Sequence, residues 1–135
     1  ASKPMLVSHT GVAALSPMWR NIDDDQIRAL AEGGGVAGVI LTPRFLELKG
    51  ADGVAAHLEH LYRVGGEDLP ALGSDFDGVT SLPKGLTDVS CYPNLIQELL
   101  KRGYSEKDIE KICGANFLRV WAAIQETARD LQSAP

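Results

Sequence analysis

Three short, uninterrupted apolar runs, each separated from the next by an amphipathic stretch of helix length, restrict this chain more than any other feature. They are Met5–Ser8, Val36–Leu41 and Leu69–Ser74. None alternates polar with apolar residues, so none reads as a strand with one wet face. Strands buried on both faces, as in a parallel sheet or barrel, have this pattern. Pro70 is compatible with a strand only at its first positions, because it has no N–H for the ladder.

The intervening segments read as helices. Asp23 with Gln26 three residues later has the form of a capping box, and the Asp23–Asp25 run suits a helix N-terminus. Ile27, Leu30 and Ala31 then form an apolar stripe that Gly33–Gly35 stops. A second helix is expected over residues 52–64, with Val54, Leu58 and Leu61 inward and Gly65-Gly66 at its end. Strand, helix, strand, helix, strand is the rhythm of a parallel sheet with crossover connections. After Gly78 comes a long irregular loop, residues 79–93, of the kind that often lines a site. Three further helices are expected. One runs from Pro93 through Leu95, Ile96, Leu99 and Leu100 to Gly103. Ser105 caps the second, Glu106–Cys113, which Gly114 ends. Asn116 caps the third, with a stripe of Phe117, Val120, Trp121, Ile124, Ala128 and Leu131.

A chain of 135 residues makes one domain or part of one, here a single unit over residues 1–135. Little sequence precedes the first strand, so the chain is expected to begin inside a fold. With 44% hydrophobic residues it is globular. Thirteen basic against 18 acidic residues give a net charge of -5, and without a basic stripe no nucleic-acid partner is expected. No apolar run reaches about 18 residues, and no leader or lipidation signal is legible, so the expected setting is cytoplasmic and away from the membrane. Cys91 and Cys113 form no CxxC pair and read as two free thiols in a reducing compartment.

The chemistry-bearing residues gather at strand ends, where parallel α/β folds place their sites. Asp75 follows the third strand in Gly73-Ser74-Asp75-Phe76-Asp77-Gly78. A carboxylate there must be paired, metal-bound or hydrogen-bonded. It is a candidate metal ligand, general base or general acid, against a purely structural turn at Gly78. His9 ends the first strand as a candidate metal ligand or proton shuttle, against a histidine satisfied by loop backbone. Arg20 precedes the first helix and is suited to clamp a carboxylate through two parallel hydrogen bonds; the plainer reading pairs it with Asp23 or Asp24. Asp77, His57 and His60 read as structural. Gly33–Gly35 follows a helix and precedes a strand, the reverse of a dinucleotide fingerprint.

Several segments in this order resemble the C-terminal part of the renal (membrane) dipeptidases, metallopeptidase family M19: Pro4-Met5-Leu6-Val7-Ser8-His9-Thr10, Arg20-Asn21, Gly73–Gly78, Leu82-Pro83-Lys84-Gly85-Leu86-Thr87-Asp88-Val89-Ser90-Cys91-Tyr92-Pro93-Asn94-Leu95, and Asn116-Phe117-Leu118-Arg119-Val120. The resemblance implies an α/β fold, the C-terminal part of a TIM-type barrel of the metal-dependent hydrolase group, with about three of its eight βα units plus terminal helices. It implies hydrolysis of dipeptides, some with a D-residue at the C-terminal position, at a site with two zinc ions. By resemblance His9 is a zinc ligand, Arg20 holds the substrate carboxylate and Asp75 handles the proton of the metal-bound water; His9 and Asp75 are expected to emerge from neighbouring strands of one barrel. The family's His-x-Asp pair, bridging glutamate and further histidine have no counterpart here, so the chain alone is expected to be inactive. The expected partners are a dipeptide substrate and either the remaining barrel portion or further copies of the chain. Residues 39–45 depart from the Asn-Phe-Tyr-like run of many relatives. The alternatives are a non-catalytic α/β fragment or interaction module of the same ancestry, and another metal hydrolase of the amidohydrolase group.

Overall fold

A computed structural model describes residues 3–47 and 50–133. Ala1 and Ser2, on which the expected start within a fold partly rests, lie outside the described residues. Three parallel strands, β1 (Leu6–Thr10), β2 (Val36–Val39) and β3 (Pro70–Leu72), lie in the order β1-β2-β3. All three expected strands form, with shifted ends. β1 runs on to Thr10, whereas β2 and β3 stop at Val39 and Leu72, where the ladder gives way to loops. Pro70 is the first residue of β3 and pairs with Ala37, the position a residue without an N–H tolerates.

The β1–β2 ladder is irregular. Val7 pairs with Ala37 and Thr10 with Val39, so Ser8 and His9 together stand opposite the single Gly38. This is a bulge, a device that re-aims a side chain beside a site. It pushes the Ser8 carbonyl inward, where a Cβ on either Gly38 or Gly73 would overlap its oxygen. Glycine at both positions lets β1 and β3 close over β2.

Both sheet faces are covered. Ala37 and Val39 belong to the main core, with Ile27 and Leu30 of α1 (Asp24–Glu32), Leu58 and Leu61 of α3 (Ala51–Gly65) and Leu95 and Leu99 of α4 (Tyr92–Lys101). The expected capping box opens α1: Asp23 accepts from the Gln26 N–H at 2.8 Å, and the Gln26 side chain accepts from the Asp23 N–H at 3.0 Å. A short helix that the sequence did not announce, α2 (Pro43–Leu46), starts on a proline after β2. On the other face Val36 and Ala71 meet Val120, with Leu6 and Ile124 beside them.

The C-terminal helices differ from expectation. α5 (Glu106–Glu110), with its Ser105 capping box, passes through a π-turn at Lys111–Ala115 directly into α6 (Asn116–Ser133). Gly114 therefore ends nothing and Asn116 caps nothing, because a continuous helix leaves no free N–H there. Asn116 is buried and donates instead to the carbonyls of Glu67 and Pro70, at 2.9 and 3.0 Å, fixing α6 at the entrance to β3. Only Val120 of the expected stripe is fully buried, and Phe117, Trp121 and Leu131 are exposed, since a three-stranded sheet offers α6 a narrow seat. Among the described residues no helix is long and apolar enough to cross a membrane.

Candidate active site

His9 leaves the sheet in the bulge of β1. Its Nδ1 is within hydrogen-bond distance of the Ser8 hydroxyl, 2.8 Å. When that oxygen accepts from Nδ1–H, the Nε2 lone pair is free to bind an electrophile or a metal. Nε2 stands 4.0 Å from Asp75 Oδ2, with the two side chains 39% and 28% exposed. The sequence suggested neighbouring strands for these two residues. Instead β2 lies between them, and it is the two close-packed glycines that bring the strand ends together.

Asp75 lies past the end of β3 in a turn closed by the Gly78 N–H donating to the Asp75 carbonyl, 3.0 Å. Its φ is +58°, a left-handed conformation that aspartate tolerates better than most residues. The structural turn and the half-buried carboxylate thus coexist at one residue. Asp77 is exposed two residues on.

Arg20 belongs to the loop after β1. Its Nη2 donates to the His9 carbonyl at 3.1 Å, and its guanidinium lies over the Phe45 ring, 4.7 Å from the centroid. The pairing with Asp24 does not form: Arg28 and His60 take that carboxylate. Stacking on an aromatic face leaves guanidinium N–H groups for a planar anion. The departing segment 39–45 thus contributes the ring under Arg20.

Two residues without an expected catalytic role build this loop. Asn21 is buried. Its Oδ1 accepts from the Gly11 N–H at 3.0 Å, and its Nδ2 donates to Ser16 and Phe45 carbonyls at 2.9 and 2.8 Å. His57 is fully buried on α3, where its Nδ1 accepts from the Val12 N–H at 3.0 Å and its Nε2 meets the Leu46 carbonyl at 3.3 Å. Burial holds the His57 imidazole below its ordinary pKa of 6.5, partly opposed by the Leu46 carbonyl. His57 is thus structural, as is His60, which pairs with Asp24 at 2.7 Å. Their helical i, i+3 spacing was visible; that His57 reaches the Arg20 loop was not.

As donors, an imidazole and a carboxylate are of the right kind for zinc, but a catalytic zinc takes three protein ligands. Among the described residues no group of three or more His, Cys, Asp or Glu could hold a metal ion. His9 and Asp75 fit such a site as part of a donor set.

Comparison with known proteins agrees on ancestry. The family described as membrane dipeptidase (peptidase family M19) matches residues 1–135. The dipeptidase aclJ of Aspergillus oryzae is 41% identical over 133 residues, covering 95% of this chain and 32% of the relative. A crystal structure of a metallopeptidase from Rhodobacter sphaeroides, liganded with a phosphinate mimic of the dipeptide L-Ala-D-Ala, superposes with a TM-score of 0.84 at 32% identity, covering 91% of this chain and 37% of that one. An amidohydrolase from Pseudomonas aeruginosa gives a TM-score of 0.82 at 28% identity, covering 92% of this chain and 46% of that one. The chain therefore spans about a third of the curated relative's length.

Proposed function

Because this chain belongs to the membrane dipeptidase family, peptidase family M19, we propose that it is part of a zinc-dependent dipeptidase and supplies one section of the active site. In this reading residues 1–135 form a single unit, the C-terminal portion of a TIM-type barrel. His9 is a ligand of one of two zinc ions, Arg20 receives the substrate's free carboxylate and Asp75 moves a proton. The observation that carries the reading is the 4.0 Å approach of His9 Nε2 to Asp75 Oδ2 at the strand C-termini, with Arg20 tied to the carbonyl of His9 itself. Zinc, when bound, supplies a water of lowered pKa and polarises the scissile carbonyl. The chain's own residues orient the dipeptide by its carboxylate and hold a base beside the reacting centre.

Both sheet edges support the barrel reading. Apolar grooves run along β1, lined by Met5, Val7, Ile22 and Leu30, and along β3, lined by Ala71, Leu72, Ile112 and Phe117. Further strands and helices of the same fold would cover them. The remaining zinc ligands then come from that portion, or from another copy. The shortage of metal donors among the described residues favours one competing reading, a non-catalytic module of the same ancestry.

The deciding experiment compares this chain alone with the polypeptide that carries the remaining ligands, both supplied with zinc and dipeptides. The isolated chain is expected to be inactive. In the complete enzyme Asp75→Asn should lower kcat by about 100-fold, and Arg20→Ala should raise KM at least about tenfold through the lost charged hydrogen bonds. Full activity in Asp75→Asn, or zinc-dependent hydrolysis by the isolated chain, would overturn the assignment.

A further inference from the structure

Tyr92 opens α4, yet its contacts lie at the end of β3. Its hydroxyl shares a hydrogen bond with the Ser74 hydroxyl, and its ring packs against the Phe76 ring, 5.9 Å between centroids at 35°. One tyrosine therefore grips the residues on both sides of Asp75. Asp75 is the residue in this segment least able to hold its own geometry, since its backbone is left-handed and a single backbone hydrogen bond from Gly78 closes its turn. The carboxylate lies over Gly78, where a Cβ would overlap Oδ1. On the strand side, Ser74 is held by its carbonyl, which accepts from the Leu41 N–H at 3.1 Å. Tyr92 itself packs against the main core, so the grip is anchored to the body of the domain.

We propose that Tyr92 is a positioning residue for Asp75, holding the carboxylate toward His9 through Ser74 on one side and Phe76 on the other. This rests on the dipeptidase reading for its catalytic consequence, but not for its geometry. Tyr92 touches none of the reacting atoms. It also ties the start of α4 to the acid, so the irregular segment before it, residues 79–91, is anchored at both ends next to the same carboxylate.

Two readouts separate this proposal from the functional reading. Amide hydrogen exchange in this chain reports the turn directly. Tyr92→Phe keeps the ring and removes the hydroxyl, and it should speed exchange at the Gly78 N–H about tenfold relative to the core of α3. Unchanged exchange at Gly78 overturns the proposal, whatever the protein catalyses. In the complete enzyme, Tyr92→Phe and Ser74→Ala should each lower kcat about tenfold with KM within about twofold, since a small misplacement of a catalytic group is costly. The double variant should be no worse than either single one, because both remove the same bond. Where Asp75→Asn is itself impaired, a normal kcat in Tyr92→Phe, with only a lower melting temperature, makes the tyrosine merely structural and overturns the proposal. Faster exchange at Gly78 together with a fully active Asp75→Asn supports the grip and defeats the dipeptidase role of Asp75 instead.

Discussion

The loop that carries Arg20 and the loop that carries Asp75 leave the same end of the sheet and are held in opposite ways. The first, residues 11–22, is built around buried polar groups. Asn21 satisfies three backbone groups from two elements, His57 satisfies a fourth, and Val12 and Ile22 form an isolated bridge across the loop. The second, residues 73–91, is mostly exposed. Its anchors are the buried side chains of Pro83 and Leu86, a bridge between Gly50 and Lys84, the Asn94 side chain on the Gly85 carbonyl, and Tyr92. A buried hydrogen-bonded network fixes one geometry, because each broken bond leaves a group unsolvated; in this loop the buried Ser16 hydroxyl stands outside the network, without a partner among the described residues. Exposed anchors are individually weak, since water replaces them. The loop that carries Arg20 is thus preset, while Asp75 stands on a segment with more freedom.

The largest test of that contrast is Asn21→Ala. It strips three hydrogen bonds, two buried and one part-buried, and should cost about 3–5 kcal/mol in urea denaturation. A loss within about 1 kcal/mol would mean that water already reaches the loop and that the contrast is false.

pH gives the next test. The folded pKa of His57 lies below its unfolded value near 6.5, so below that pH the unfolded chain takes up a proton that the folded one resists. Stability is therefore complete above about pH 6.5–7 and declines as the pH falls through the interval below, levelling off beneath the folded pKa. In His57→Gln, whose amide can accept from Val12 and donate to Leu46, that slope between pH 7 and 5 should disappear. Lowered aspartate pKa values, as at Asp24 and Asp68, act further down, where carboxylates protonate. A melting curve flat from pH 7 to 5 in the wild type would remove His57 as the pin.

The smallest effect is expected from Asn94→Ala on α4, whose side chain holds the other loop. One exposed hydrogen bond to Gly85 is lost, for about 0.5 kcal/mol, with α4 otherwise unchanged. A cost as large as that of Asn21→Ala would show that the two loops are equally locked.

Much of the fold could be read in advance from local patterns. The three apolar runs became three parallel strands, the Asp23 capping box and the Ser105 cap opened their helices, and the glycine runs at 33–35 and 65–66 stopped α1 and α3. His9 and Asp75 could be placed in advance at strand ends and Arg20 in the loop before α1. What local patterns misjudged depended on partners distant in the chain. Asn116 looks like a cap from its neighbours, and only the nearness of Glu67 and Pro70 makes it a brace. The α6 stripe looks fully buried from its spacing, but spacing does not say how wide the opposing surface is.

The amino-acid order alone determined the three strands, most of the helices, the parallel class of the sheet and which ionisable side chains follow the strands, because these follow from periodicity and functional groups within a few residues. Tertiary structure alone decided that His9 and Asp75 meet across β2. That meeting needs one extra residue in β1 and two glycines, Gly38 and Gly73, from different strands packed against one carbonyl. Steric exclusion between segments tens of residues apart leaves no periodic trace in the chain.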